Sequence, residues 1–281
     1  GSNNADTFTI SMWIKIGRLY TNYRRLFSSY ADGLILNNDH RLRYNDEGEG
    51  DAYSTAKFRD PSAWYHIVKA VNTSGTTVYV NNVTHITSSM KYSLSTSSNA
   101  IRHFWHPGDP AEFAFDGYGA EVALIDGQAL TPSSFAKTDA VTGQWIPKDL
   151  SSLTFGSNGH WLRFTDSTHI GKDFSGNSND FTTANLATTD LLDDTPTNNF
   201  CTLNPLDSNT GINFTEGNLV VNTSGGFDLA KSTFYLTSGK WYWEVTCDDT
   251  GNGFIGVSDQ DDVLNNRGGG NATSCTIAAS D

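Results

Sequence analysis

The sequence is short of basic residues and of long apolar runs, and each shortage excludes a class of protein. Lysine and arginine number 18 against 31 aspartates and glutamates, which gives a formal net charge of −13. Because nucleic-acid-binding proteins concentrate basic side chains on one face, a nucleic-acid partner is not expected. No apolar stretch approaches the roughly 20 residues of a membrane-spanning helix, so membrane insertion is not expected. The amino end shows no charged-then-apolar export signal.

Cysteine is also scarce. The 3 cysteines, Cys201, Cys247 and Cys275, are odd in number and far apart in the sequence, so a disulfide framework is not expected. We expect free thiols that are buried as small apolar side chains, which fits assembly in a reducing cytoplasm.

Two-residue alternation of apolar and polar side chains is abundant. It runs through TFTISMWIKI (residues 7–16) and WYHIVKAV (residues 64–71), where Trp64 and Tyr65 fall on opposite faces of a central strand. Hydrophobic residues amount to 37% and aromatic ones to 12%, which favours thin-cored sheets with one solvated face each. Asn81-Asn82 indicates a hairpin turn, and LTPSSF (residues 130–135) indicates a single helical turn. Residues 1–135 are therefore predicted to form an all-β antiparallel sandwich.

The rest of the chain divides in two. Residues 136–217 are rich in Asn, Asp, Ser and Thr with little periodicity, which predicts an extended connector wrapped over a neighbour. Its expected anchors are the rings of Trp145, Phe155, Trp161 and Phe164. Strand patterns resume in residues 218–281, above all in KWYWEVTC (residues 240–247), where Trp241, Trp243, Val245 and Cys247 share a face.

A resemblance supports this division. The order FTISMWIK, LRY, DPSAWYHIV, VYVNNV and FDGYGAEVALIDGQALTPSSF resembles the laminin-G-like, concanavalin A-like jelly-roll family. It is most similar to the version in virion proteins of tailed bacteriophages, in which TGQW, DFSGNSNDF and DTPTNNF follow in this order. The resemblance covers residues 7 to about 200 and implies a jelly-roll sandwich. YLTSGKWYWEVTCDDTGNGFIGVSD resembles the opening of a SPRY-like sandwich, so residues 218–281 are expected to be its incomplete first part.

Catalysis is not expected. Concanavalin-like folds include glucanases that place two carboxylates on one face of a strand, where residues i and i+2 lie side by side. The nearest pairs here are Glu121 with Asp126 and Glu244 with Asp248, and neither has that spacing. No G-x-S-x-G motif or Cys–His pair points to nucleophilic catalysis.

Metal binding is a weaker expectation. His103 and His106 are three residues apart but are followed at once by Pro107, so we expect histidines of a surface loop. The oxygen-rich run DFSGNSND offers Asp173, Asn177, Asn179 and Asp180 as calcium ligands. It lacks the EF-hand order, and an Asx-rich turn that bonds to its own backbone is the favoured interpretation, with calcium kept as the alternative.

Aromatic residues in loops are the candidates for ligand binding, because rings in strands are explained by the core. Trp105 lies in HFWHPGDP and Tyr118 in DGYG, both predicted as loops. A sugar binds a ring that stacks on its apolar face, with hydrogen bonds from polar neighbours. Trp105, Asp109 and Tyr118 form the predicted site, and the alternative for Trp105 is that it covers a sheet edge.

These features favour a non-enzymatic virion protein of a tailed phage, in a tail, fibre or capsid appendage. Its expected partners are other virion proteins, copies of itself and a bacterial surface glycan, with avidity supplied by copy number. A secreted bacterial lectin or adhesin module is the alternative, and a polysaccharide-degrading enzyme is a third. No cofactor is expected other than the calcium alternative.

Overall fold

The chain divides into two compact units, residues 1–200 and residues 201–281. The computed structural model describes residues 6–19, 21–29, 32–46, 50–91, 94, 101–104, 110, 113–183, 186–223, 228–247, 253–258 and 275–279. The division falls inside the predicted connector, so residues 136–200 belong to the same unit as the predicted sandwich. No helix in the described part of the chain is long and apolar enough to cross a membrane.

The first unit is built from antiparallel strands in two main sheets. The strands are β1 (Phe8–Ile16), β2 (Arg24–Ser29), β3 (Asp32–Leu36), β4 (Arg41–Asp46), β5 (Gly50–Lys57), β6 (Trp64–Asn72), β7 (Gly75–Val80), β8 (Val83–Ser88), β9 (Arg102–His103), β10 (Gly117–Asp126), β11 (Ala136–Thr138), β12 (Trp145–Pro147) and β13 (His160–Leu162). One sheet has the order β13-β10-β1-β6-β7-β8, and the other has the order β5-β4-β3-β2-β9. Strands β11 and β12 pair with each other. The predicted all-β fold is confirmed.

The main core lies between the two sheets, as the alternation in β1 predicts. Alternate β1 side chains, from Phe8 to Ile16, pack against Leu26, Leu34 and Tyr44 of the five-stranded sheet. Burial of apolar area on this scale is the main stabilising contribution to a sandwich.

The outer face of the six-stranded sheet is also buried, which corrects the expectation of a solvated face. Val68, Ala123 and Ile125 point away from the main core and pack with Phe155 and Trp161 in a second apolar cluster. The six-stranded sheet thus has a dry face on each side because the chain after residue 130 folds back over it.

The predicted anchor rings of that segment make specific contacts. Phe155 and Trp161 are 3% exposed in the second cluster. Trp145 donates from Nε1 to Nδ1 of His66, at 3.0 Å, and Phe164 packs against the main core. Four rings therefore hold residues 145–164 against the sandwich.

Two predicted turns are present. Asn81 and Asn82 have φ angles of 48° and 69°, the left-handed pair that a two-residue hairpin needs between β7 and β8. A single 3-10 turn spans Pro132–Ser134 after Thr131, as predicted, but Thr131 makes no side-chain capping bond.

The second unit contains strands β14 (Leu203–Ser208), β15 (Ile212–Thr215), β16 (Val220–Thr223), β17 (Ala230–Ser232), β18 (Gly253–Val257) and β19 (Cys275–Ala279), joined in antiparallel pairs. The predicted strand over residues 240–247 is wrong for the structure described, because these residues form no ladder. Trp241 and Trp243 are 54% and 51% exposed, so they do not act as packing residues. A strand requires a neighbour that satisfies its backbone groups, and the sequence pattern alone does not supply one.

The cysteine prediction is half right. Cys201 and Cys247 are free thiols, as expected, but both are exposed rather than buried. They lie in the second unit, where these segments pack against few apolar side chains. The side chain of Cys275 lies outside the described part of the structure.

Candidate functional site

Of the three residues of the predicted ligand site, the structure describes only Tyr118. Trp105 and Asp109 lie outside the described residues. Tyr118 lies in strand β10 opposite Lys15, and not in a loop as predicted. Because directly opposed residues of an antiparallel pair point the same way, Tyr118 and Lys15 share the outer face of the six-stranded sheet.

Backbone hydrogen bonds hold Phe104 and Phe115, which flank the segment that contains Trp105 and Asp109. The backbone N–H of Phe104 donates to the carbonyl of Leu26 at 3.0 Å, and that of Phe115 donates to the carbonyl of Phe104 at 2.8 Å. The Phe104 ring also fills the space beside Gly119, where a Cβ would come within 2.8 Å of it. Phe104 therefore packs on the inner side of β10, opposite to Tyr118.

A polar centre surrounds Lys15 on the outer face, and we call it the Lys15 centre. It consists of Lys15, Trp64, Tyr118, Asp194 and Asn199. The Lys15 side chain is fully buried, and its Nζ donates to Oδ2 of Asp194 at 2.6 Å and to Oδ1 of Asn199 at 2.9 Å. A buried charge requires such a partner, because the loss of hydration otherwise costs several kcal/mol, to order of magnitude.

Residues of the returning segment and of β6 hold Asp194 in place. Trp64 donates from Nε1 to Oδ1 of Asp194 at 3.2 Å, and the backbone N–H of Phe200 donates to the same oxygen at 3.3 Å. Burial raises the pKa of Tyr118, and the charges of Asp194 and Asp116 raise it further, so its hydroxyl stays protonated at neutral pH. The predicted ligand residue Tyr118 is thus a member of this centre.

Glu121 occupies a β-bulge on the same strand. Its φ of 49° is left-handed, and the register of β1 with β10 shifts at this point. Trp161 donates from Nε1 to Oε2 of Glu121 at 2.6 Å, and the Arg163 guanidinium lies 5.0 Å from the centre of the Trp161 ring. Burial raises the pKa of Glu121, while the bond from Trp161 opposes that rise.

Among the acids that the sequence nominated, each carboxylate in the described part of the chain has its own hydrogen-bond partner. Asp126 accepts hydrogen bonds at Oδ2 from both the backbone and the side-chain amide of Asn158, whereas Glu121 is bound to Trp161. Glu244 is exposed beside Tyr242, and Asp248 lies outside the described residues. Each described acid is therefore engaged separately.

The calcium candidate Asp173 uses its oxygens within the turn. Oδ1 accepts from the backbone N–H groups of Trp161 and Ser175, and Oδ2 accepts from the Ser175 hydroxyl and the Asn179 N–H, at 2.7 to 2.9 Å. Burial alone would raise the pKa of Asp173, but these bonds lower it overall. The carboxylate thus acts as the hub of an Asx-rich turn.

The other candidates in this turn are bonded locally as well. Asn177 and Asn179 each donate from Nδ2 to the carbonyl of Gly159 at 2.9 Å, and Oδ1 of Asp180 accepts from the backbone N–H of Asp173 at 2.8 Å. Across the described part of the chain, no three His, Cys, Asp or Glu side chains come together as a metal site. The arrangement matches the turn interpretation, and calcium binding stays a prediction.

His103 belongs to a strand and not to a surface loop, which corrects the prediction. It lies in β9 at the edge of one sheet, and its Nε2 is 2.8 Å from Nε2 of His160, in β13 at the edge of the other. Burial lowers the pKa of both, that of His160 to about 4. The contact therefore joins two neutral rings, while His106 lies outside the described residues.

The fold is an all-β, concanavalin A-like jelly-roll sandwich whose outer sheet face carries polar centres. Consistent with this class, residues 1–136 match the family model described as Concanavalin A-like lectin/glucanases superfamily. This match covers the strands of both main sheets up to β10. No curated protein matches the chain.

Several solved structures are similar to the chain. A protein from Bacteroides ovatus whose carbohydrate binding is inferred is 17% identical with a TM-score of 0.47, over 61% of this chain and 50% of that one. Domain 4 of the arabinanase AbnA from Geobacillus stearothermophilus, solved with arabinotriose, is 22% identical with a TM-score of 0.38, over 46% and 64%. Trypanosoma rangeli sialidase is 17% identical with a TM-score of 0.36, over 46% and 22%. In each case the similarity spans less than two thirds of the other chain.

Sequence reasoning missed the Lys15 centre apart from Tyr118. The available signal was a lysine inside the apolar run SMWIKI, because a charge in a doubly buried strand needs a partner. Nothing local pointed to Asp194 and Asn199, which follow Lys15 by 179 and 184 residues.

Proposed function

We propose that this chain is a non-enzymatic adhesion and structural protein of a tailed-phage virion. It binds a bacterial surface glycan or neighbouring virion proteins through the loops at the rim of its sandwich. The observation that carries the binding role is the family match of residues 1–136 to lectins and glucanases, and the virion role rests on the resemblance of the motifs. It acts in many copies, so weak single contacts add up to firm attachment.

The burial pattern supports recognition at the rim. The inner face of the six-stranded sheet is filled by the main core, and the residues after 130 cover the outer face. The six-stranded sheet therefore offers a glycan no open face to lie across within the described part of this unit. The loop that follows Phe104 is the best-placed alternative, since its base is fixed by backbone hydrogen bonds and it carries Trp105 and Asp109.

The carboxylates support binding without hydrolysis. Glycosidases use two carboxyl groups on opposite sides of the bond that breaks. In the described residues Glu121 and Asp126 are bound to separate partners, so this pair does not form an acid and a base around one bond.

A glycan array tests the binding role. We expect the purified chain to bind bacterial surface glycans and Trp105→Ala to lose at least about ten-fold in affinity, since stacking on a ring contributes on the order of 1–2 kcal/mol. Tyr242→Ala removes a ring that is 81% exposed in the second unit and serves as the matched control. Equal binding by the wild type and Trp105→Ala would show that Trp105 is not part of the binding site. Release of reducing sugar that Glu121→Gln abolishes would instead make the chain an enzyme.

The same array tests the calcium alternative when it is repeated with a chelator. Because the oxygens of Asp173 are already bonded within the turn, we expect unchanged binding. Loss of binding that added calcium restores would assign a metal to this turn.

Locating the chain on purified particles tests the virion role. We expect antibodies against this chain to label phage particles in electron micrographs. Detection only as free soluble protein would favour the secreted lectin alternative, as would an export signal on the full-length gene product.

A further inference from the structure

The Lys15 centre brings together the three groups that a spontaneous amide cross-link requires. The Lys15 amine is fully buried, and the Asn199 carboxamide and the Asp194 carboxylate both lie within hydrogen-bond distance of its Nζ. Asp194 supplies the counter-ion, and the Asn199 carboxamide faces the same nitrogen through its Oδ1 at 2.9 Å, so an amine and a carboxamide are held together in one buried centre. Lysine side chains become nucleophiles when they are desolvated, and positioned groups react as if at very high concentration.

We propose that Lys15 and Asn199 form an intramolecular isopeptide bond, with Asp194 moving the protons. The proton of the Lys15 ammonium passes to Asp194, and rotation of the Asn199 carboxamide about Cβ–Cγ turns its carbon toward Nζ. The Nζ–Cγ bond then forms, Nζ gives up a second proton through Asp194, the Cγ–Nδ2 bond breaks, and the departing nitrogen takes up both protons and leaves as ammonium. One amide and one ammonia replace one amine and one carboxamide, with no oxidant or reductant needed.

The surroundings suit each part of this reaction. Lys15 is paired across the sheet with Trp64 on one side and Tyr118 on the other, and its side chain is fully buried, so water is excluded from the amine. Burial removes water from the charged ammonium and carboxylate and so raises their free energy. Transfer of the proton from Lys15 to Asp194 makes both groups neutral and is therefore favoured.

The reacting groups are also held in position. Asp194 is fixed by the indole of Trp64 and by the backbone N–H of Phe200. The Nδ2 of Asn199 donates to the carbonyl of Ser62 at 2.8 Å, which directs the leaving nitrogen away from Lys15. Asn199 as a residue is exposed, so ammonia has a path to solvent.

The bond would join β1 of the sandwich to the end of the segment that covers it. It would close a loop between positions that are 184 residues apart, which limits the freedom of the unfolded chain as a disulfide does. Such a link suits a protein without a disulfide framework that works outside a cell.

Intact-mass spectrometry of the purified 281-residue chain under denaturing conditions tests the proposal directly. The expected mass is lower than that of the sequence by one ammonia, and a trypsin digest should yield a branched peptide joining Lys15 to Asn199. An unchanged mass overturns the proposal. Loss of one water with a Lys15–Asp194 branch overturns the assignment to Asn199.

Variants provide the controls. Asn199→Ala should keep its full mass, whereas Asn198→Ala, which changes the neighbouring exposed asparagine, should still lose one ammonia. The decisive mass is that of the wild-type protein, which is purified in its folded state before it is denatured for the measurement. A variant that fails to fold therefore does not weaken the test. Loss of ammonia from Asn199→Ala would contradict the proposed bond.

Discussion

At the scale of single residues, His66 shows how packing fixes a protonation state. Its ring stacks on Trp13 with centroids 4.7 Å apart, and burial lowers its pKa to about 3. The Trp145 indole can only donate, so Nδ1 of His66 must accept its hydrogen bond. The proton therefore lies on Nε2, which donates to Oγ of Ser11 at 2.9 Å. His66 is a neutral structural residue that connects β1, β6 and β12.

We predict that His66 stays neutral, with its proton on Nε2, down to about pH 4. Since its folded pKa of about 3 lies below the ordinary 6.5, the unfolded chain takes up a proton first as the pH falls. Stability is then lost between these two values, by at most about 1.4 kcal/mol per pH unit. Long-range proton–nitrogen NMR correlations report the tautomer. A ring titration near pH 6.5 in the folded protein, or a proton on Nδ1, would contradict this assignment.

At the scale of elements, residues with a left-handed backbone conformation form a hairpin turn and shift the register of a strand. Asn81 and Asn82 close the β7–β8 hairpin, and Oδ1 of Asn81 also accepts the backbone N–H of His66 at 2.8 Å. Glu121 adds one residue to β10, which lets Tyr118 and Ala123 both face outward despite the odd spacing between them. Asparagine tolerates a left-handed φ. Glutamate adopts it less readily, and at Glu121 the surrounding contacts, such as the hydrogen bond from Trp161, hold the residue in that conformation.

The hairpin turn gives a test by substitution. We predict that Asn82→Val lowers the free energy of unfolding by about 1–3 kcal/mol, because a β-branched side chain is strained at a left-handed φ. Asn82→Gly should be neutral or slightly stabilising. Thr84→Val introduces the same side chain at an exposed strand position and should cost little. Urea unfolding curves measure all three. Equal stability of Asn82→Val and Thr84→Val would show that the turn is not left-handed in solution.

At the scale of the whole molecule, the folding unit is longer than the family match. The match ends at residue 136, yet the outer face of the six-stranded sheet is covered by rings from later in the chain, such as Phe155 and Trp161. The buried Lys15 likewise finds its counter-ion at Asp194. Residues 136–200 of the predicted connector are therefore part of the first unit, and some of their side chains belong to its core.

A truncation series tests this directly. Residues 1–200 should form a soluble, cooperatively unfolding monomer, because both apolar clusters and the Lys15–Asp194 pair lie within this unit. Residues 1–136 should aggregate or bind a hydrophobic dye, since Val68 and Ile125 lose their cover and Lys15 loses Asp194. Size-exclusion chromatography and urea unfolding compare the two. A 1–136 fragment as stable and monomeric as 1–200 would show that the later segment only decorates the sandwich.

The sequence-based predictions agree with the structure where a feature depends only on residues that are close together in the sequence. Strands β1 and β6, the turn at Asn81-Asn82 and the 3-10 turn after Thr131 were predictable, because two-residue periodicity and turn chemistry act over a few neighbours. The same periodicity failed in residues 240–247, where alternation is present but no strand in the described part of the chain pairs with these residues. Placing Tyr118 in a loop failed because Asp-Gly-Tyr-Gly is as compatible with a strand start as with a turn.

The sequence by itself determined the sandwich class, since alternation with turns at short intervals can bury its apolar faces only by stacking sheets. It also indicated that rings would anchor the segment after residue 135. Only the tertiary structure decided which distant groups meet: Lys15 with Asp194 and Asn199, His66 with Trp145, and Glu121 with Trp161. Such pairs are set by how the later chain packs on the sheet. The residues next to each partner in the sequence do not determine which distant side chain it contacts.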